Sequence, residues 1–317
     1  MTNRISLNQK KELTLKPKAP YNFKANFYKP SHFPSSDNVW EKRKYWITTK
    51  WEGKELGLKF KNKGTINNPK IKLIVYHKGK LTKKFLKSFI PEVRYRFNFD
   101  QDISNFNFDS HPAFKKWEGM KPIAANSLYE TLVIYFVLQN ASVRRSVQML
   151  ENLFNKFGKK AKFDNKTLSV FWEPKEIAKS SEKELRNLKL GYRSKFLIKL
   201  SKQFADKKIN ESTLRKMDKE EVKKEMLKLY GIGPASVEYL LFEDFYFLDA
   251  LETIPPWEQK ILSVLLFNKK LVPTKKILNF FKKYKKYKKL AFHYIWEDIF
   301  WQRKYKYIGW LEKEIRL

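Results

Sequence analysis

The stretch LYGIGPASVEYLL, Leu229 to Leu241, is where residue type and spacing first point to chemistry. Gly231 can close one helix in a left-handed conformation, Gly233 lets a ligand approach the backbone, and Pro234 suits the first turn of a following helix. The result is a helix-hairpin-helix whose second helix starts with outward-facing N–H groups, a seat for a DNA phosphate. Gly231, Ile232, Gly233, Ala235 and Val237 would frame that seat. The same spacing also serves an ordinary αα-hairpin turn, so the corner is weighed with the rest of the chain.

Composition restricts what else can react. The 317 residues include no cysteine and four histidines, His32, His77, His111 and His293, at no ligand spacing. Disulfides, iron–sulfur clusters and thiolate zinc are excluded, and carboxylates, lysines and hydroxyls remain. A balance of 67 Lys and Arg against 33 Asp and Glu leaves a formal charge of +34. Charge of that size and sign favours polyanions through counterion release, so nucleic acid is the leading partner. No N-terminal run resembles a signal peptide, and the longest apolar segment, Thr131 to Leu138, is too short to span a bilayer. A soluble, intracellular protein is the expectation.

The elements that must position the corner change character along the chain. Residues 1–20 are Lys-rich and polar and read as a flexible basic arm. Residues 21–105 read as an antiparallel β-sheet lobe, because YWITTKWEG, ELGLKFKNK and IKLIVYHKG cluster β-branched and aromatic residues between Gly, Asn and Pro. From Ser127 the apolar period becomes three to four residues, with a break at Gln139 to Ser142, so residues 106–317 read as an all-helical domain. The fold class is α+β. In FFKKYKKYKKLAFHYIW, Phe280 to Trp296, lysine pairs alternate with aromatics; the lysines read as a solvated or DNA-facing surface and are not assigned to a site, and Trp296 and Trp301 read as core.

Leu-x-Gly-Ile-Gly-Pro resembles the hairpin of the helix-hairpin-helix (HhH-GPD) DNA glycosylases, a base-excision repair superfamily. LRNLKLGYRSKFL, Leu185 to Leu197, and QNASVRRSVQMLENLFNKFG, Gln139 to Gly158, are similar to segments of its 8-oxoguanine glycosylases, and the order of the two lobes resembles its 8-oxoguanine and 3-methyladenine branch. The resemblance runs from about Arg94 to the C-terminus and includes a sheet lobe placed before a helical domain.

The resemblance implies the following roles. A carboxylate some twenty residues after the hairpin promotes base loss; in IPPWEQKILSV, Ile254 to Val264, Glu258 stands where the family has aspartate, with Asp249 in reserve. Asn140, Arg145, Tyr192 and Arg193 match residues that fill the gap left by a flipped base and contact the orphaned cytosine. Ala235 occupies the position of the lysine that lyase-competent members use, which implies a monofunctional enzyme working through water. No organic cofactor is implied; a monovalent cation on the Gly231 and Gly233 carbonyls is. The expected partner is duplex DNA with a damaged base, bound by a monomer. Oxidised guanine opposite cytosine is the favoured lesion, beside two other readings: an alkylated-base glycosylase and a non-catalytic damage-binding homologue.

Overall fold

The structure, a computed structural model, describes residues 4–32 and 34–315. Strands β1 (Arg4–Ser6) and β2 (Gln9–Leu15) come first, then helix α1 (Phe23–Phe27), capped by Asn22. Strands β3 (Asn38–Glu41), β4 (Lys44–Trp51), β5 (Lys54–Asn62) and β6 (Ile71–His77) follow. They form a five-stranded antiparallel sheet in the order β2-β6-β5-β4-β3. Helix α2 (Lys83–Arg96) covers this sheet, burying Phe85, Phe89 and Val93 against Leu58, Phe60 and Leu73.

The arm expected over residues 1–20 is not loose where it is described. Residues 9–15 are the edge strand of the sheet, Leu15 facing the core and lysines facing out. A charged edge strand has few apolar residues, which is why its composition resembles coil. Strand β1 leaves the sheet and pairs in parallel with β7 (Lys159–Phe163), itself a hairpin partner of β8 (Lys166–Val170). The second half is therefore not all helical. Ala161, Phe163, Leu168 and Val170 turn inward against Leu7 and Trp46, while the alternate lysines face out. Residues 1–3 of the expected arm lie outside the described residues.

The remaining elements are α3 (Pro112–Lys116), α4 (Leu128–Leu138), α5 (Val143–Phe157), α6 (Pro174–Ala178), α7 (Glu182–Asn187), α8 (Arg193–Ala205) and α9 (Glu211–Leu214). Then come α10 (Lys219–Leu227), α11 (Pro234–Glu243), α12 (Pro256–Phe267), α13 (Thr274–Lys282), α14 (Lys288–Tyr305) and α15 (Gly309–Glu314). They build two apolar cores. One gathers α4, α5, α8 and the hairpin pair α10 and α11; the other gathers α12, α13 and α14 with residues 103–120. Helix α11 serves both, giving Val237, Leu240 and Leu241 to the first and Phe242 to the second. The seam between the two cores positions the site. Trp296 and Trp301 are buried in the second core.

Candidate functional site

The hairpin lies between α10 and α11. Gly231 has φ +90°, and a Cβ there would meet the Phe196 ring at 2.7 Å, so both backbone and packing demand glycine. Gly233 differs: its φ is −104° and a Cβ would meet nothing within 4 Å. Nothing inside the free protein requires glycine there. Gly233 is the N-cap of α11, with Pro234 in the first turn and no side-chain cap, so the first-turn N–H groups of Ala235 and Ser236 have no partner within the helix. This is anion-seat geometry. Val237 is fully buried and anchors the helix.

A second loop, residues 139–142, is tied to this corner. Gln139 Nε2 donates to Gly231 O at 2.8 Å. The neighbouring Asn140 is exposed with φ +48°, and its Nδ2 lies 3.5 Å from Tyr192 Oη. Tyr192 is 43% exposed and forms an edge-to-face pair with Phe196, which pairs in turn with the exposed Tyr230. Arg145 is exposed in the first turn of α5, where Ser142 Oγ accepts from its backbone N–H. Asn140, Arg145 and Tyr192 thus share one edge beside the hairpin. Arg193 adjoins them, its guanidinium 4.6 Å from the Tyr192 ring centre. It is 3% exposed, and its guanidinium donates to Phe136 O at 3.0 Å and to Gln139 O, satisfying carbonyls at the C-terminal end of α4. Without DNA its guanidinium serves as a clamp on the Gln139 loop.

Glu258 sits in the first turn of α12 and is 1% exposed. A glutamate at this third helical position commonly closes a capping box by accepting from the N-cap N–H. Here the N-cap is Pro255, which has no N–H, so that role is closed to it. Its Oε1 has no hydrogen-bond partner among the described residues. Burial pushes the carboxyl up to about 7; the Lys289 ammonium pulls it back and the Glu238 carboxylate adds to the rise. A carboxyl poised near neutrality, buried and free on one oxygen, has the properties of a reacting group.

Asp249, the reserve carboxylate, is engaged elsewhere. Lys219 Nζ donates to its Oδ2 at 2.8 Å, which fixes the loop after α11 to α10.

Two residues of the site escape a reading of the sequence. Glu238, one turn beyond the hairpin, is buried and accepts from the backbone N–H groups of Glu252 and Thr253, holding the segment that leads into α12. A lone acidic residue on an apolar helix face was the available signal. Lys289, within the aromatic-lysine tract, is 4% exposed, its ammonium 4.0 Å from the Phe292 ring centre and 5.0 Å from that of Tyr239. Its neighbours in sequence gave no sign that this lysine points inward. A groove of about 420 Å³ lined by Lys50, Arg96, Glu130, Trp172 and Glu211 contains none of the hairpin or Glu258 residues. Among the described residues, no group of three or more His, Cys, Asp or Glu side chains could hold a metal ion, and no helix is long and apolar enough to cross a membrane.

The family model for the HhH-GPD superfamily base excision DNA repair protein matches residues 133–315, more than half of the chain. The chain belongs to this family. The HhH-GPD match spans the Gln139 loop, the hairpin, Glu258 and Lys289, and makes the protein a DNA glycosylase of the base-excision repair type. The DNA-3-methyladenine glycosylase of Bacillus subtilis (strain 168) is 23% identical over 212 residues, 64% of this chain and 70% of that protein. Among solved structures, 3-methyladenine DNA-glycosylase from Archaeoglobus fulgidus superposes with a TM-score of 0.69 at 14% identity, over 91% of this chain and 99% of that one. The Clostridium acetobutylicum 8-oxoguanine glycosylase/lyase, in complex with DNA containing cytosine opposite 8-oxoG, gives 0.57 at 17% identity, over 87% and 99%. These similarities establish that the HhH-GPD protein shares the two-part fold, sheet lobe included.

Proposed function

We propose that this glycosylase flips an oxidised guanine out of duplex DNA, opposite cytosine, and hydrolyses its N-glycosidic bond with Glu258 as the catalytic carboxylate. The observation that carries the reading is the Glu258 carboxyl itself, buried at the seam, free on Oε1 and beside a buried ammonium. Ionised, it stabilises the oxocarbenium-like sugar and orients or deprotonates the attacking water. The hairpin from Gly231 to Val237 holds a phosphate. Asn140, Arg145 and Tyr192 supply polar and aromatic groups for the gap and the orphaned base. A monovalent cation, if held by the hairpin, would use the second lone pairs of Gly231 O and Gly233 O, whose first lone pairs already accept from Gln139 Nε2 and the Val237 N–H. Ala235 brings no amine to the hairpin, which supports hydrolysis without strand cleavage. One protomer contains the hairpin, the wedge and the carboxylate, so the working unit is a monomer.

The test is single-turnover excision of 8-oxoguanine opposite cytosine by wild type, Glu258→Gln and Glu258→Asp. Excision lost in Gln and kept in Asp supports the reading. Wild-type silence with activity gained by Asp would replace it with a damage-binding protein that does not process its ligand. A second reading, removal of an alkylated purine, draws on the similarity to the two 3-methyladenine glycosylases. Alkylated duplexes in the same assay separate the two.

A further inference from the structure

Among the described residues, three hairpins close with a two-residue turn in which both residues have positive φ. The β4–β5 turn, Glu52-Gly53, places glycine second, and the β7–β8 turn is Asp164-Asn165, a pair that tolerates this backbone. The β3–β4 turn uses Lys42 and Arg43 instead, at φ +48° and +58°. Long side chains are uncommon there. Residues held in a conformation they do not favour are often kept for what they contact.

The same end of the sheet carries a row of like charges. Lys44 on β4 is in register with Lys61 on β5, and Lys61 with Lys72 on β6, so three ammonium groups share one face across adjacent strands. With strands about 4.8 Å apart, the row is about 10 Å long. Like charges placed directly opposite destabilise a sheet. The carboxylates nearby are already engaged: Glu12 by Lys72 at 2.7 Å, Glu41 by Lys166, and Asp164 by Lys59, Trp46 and Tyr76. Among the described residues, Lys42, Arg43, Lys44 and Lys61 have no carboxylate within ion-pairing distance. Desolvation first, then the Lys59 and Lys44 charges, push the Lys61 pKa down, while Asp164 pulls it back. The β5–β6 loop at this end adds Lys63 and Lys70, both exposed.

This end of the sheet is separate from the edge beside the hairpin. Helix α4 is about 16 Å long, and Asn140 lies just past its C-terminal end. At its other end Asn126 donates to Asp37 at 3.0 Å, and Asp37 immediately precedes β3. The Lys42–Arg43 turn follows the far end of β3, so α4 and β3 both intervene between the turn and Asn140. A duplex carries one charge per about 1.7 Å, so a row of about 10 Å faces about six of them. Among the described residues, the sheet lobe exposes no large apolar side chain that could enter a lipid surface.

We propose that Lys42, Arg43, Lys44 and Lys61 form a second DNA-binding surface, which holds the backbone of another duplex segment while the hairpin holds the first. Phosphate contacts carry no sequence or lesion information, so the inference does not depend on which base is removed. Their effect is to raise the local concentration of the next segment, so that a protein leaving one duplex is already tethered to another.

The test loads the protein with a short donor-labelled duplex containing a tetrahydrofuran abasic site, then titrates a short acceptor-labelled intact duplex. Energy transfer reports two duplexes on one protein, and sedimentation checks that one protomer holds both. Wild type is expected to form this ternary complex. Replacing Lys42, Arg43, Lys44 and Lys61 by glutamine should weaken binding of the second duplex at least about tenfold and reduce its log K against log salt slope by about 3. The same replacement at the exposed Lys80, Lys83, Lys84 and Lys87, on the other side of the sheet, should change it by less than about twofold. Lys42→Asn with Arg43→Gly supplies the residues this turn favours, and is expected to raise the melting temperature while weakening the second duplex. Absence of a ternary complex, equal losses in the two glutamine variants, a lower melting temperature in the turn variant, or capture of phosphatidylglycerol vesicles in place of the second duplex would overturn the proposal. Excision is measured in parallel. A ternary complex without excision would leave this surface standing and remove the hydrolysis reading; excision without a ternary complex would do the reverse.

Discussion

Replacing Glu258 by glutamine should make the protein more stable and less active, with the stability gain growing as pH rises. Glu258 is almost wholly buried and its carboxyl is pushed from 4.5 up to about 7, desolvation being the main cause. A carboxyl raised on folding holds its proton more tightly in the folded chain, so its contribution is most favourable below the unfolded value of 4.5 and is lost as pH rises through about 7. Linkage gives the size: about 0.8 kcal/mol of wild-type stability is lost near pH 5, and about 3 kcal/mol near pH 8.5, where the folded protein must hold a buried anion. Glutamine has nearly the same shape and never ionises, so it avoids this cost. Guanidinium unfolding of wild type and Glu258→Gln at the two pH values, with equal m-values as the check on the reference state, measures the difference directly. The variant should lead by about 3 kcal/mol at the higher pH, an upper figure because the carboxylate can draw in water. Equal stabilities near pH 8.5, or a wild-type lead there, would show that the carboxylate is satisfied in the folded protein, and the argument for a poised group would fail.

The same titration should govern turnover. Single-turnover excision is expected to rise about tenfold per pH step below about 7 and to level off above it, since the ionised form is the active one; a flat profile between about pH 5 and 8 would exclude Glu258 as the titrating group. The hairpin glycines should separate by kind of damage. Gly231→Ala meets Phe196 and a positive φ and should cost about 1–3 kcal/mol of stability, whereas Gly233→Ala should stay within about 0.5 kcal/mol and yet weaken DNA binding, as read by thermal unfolding beside a duplex-binding titration. Borohydride added to enzyme and lesion duplex should trap no covalent adduct, because Ala235 has no amine; an adduct that disappears in Lys289→Gln would assign the nucleophile to α14 instead.

What could be read from the sequence was local. Gly231 and Gly233 with Pro234 have conformational requirements that do not depend on the rest of the fold, so the hairpin was legible. Ser127 and Ser142 likewise announce the starts of α4 and α5 through their caps. Burial is a property of the assembled chain, and it was not legible locally. Arg193 is in the expected segment but turns inward, because the end of α4 leaves carbonyls for it to satisfy. Lys289 is indistinguishable in sequence from Lys285, Lys286 and Lys288, and only the docking of α14 against α11 and α12 makes it internal. The strands β2, β7 and β8 were hidden for a related reason: each buries one face only, and lysines on the other face obscure the alternation.

The parallel pairing of β1 with β7 has a consequence for how the molecule comes into being. A ribosome releases Arg4 to Ser6 long before Lys160 to Lys162 exist, so the first strand waits unpaired while the sheet lobe assembles behind it. The β1–β7 pairing therefore closes only after residues 160–162 have been made.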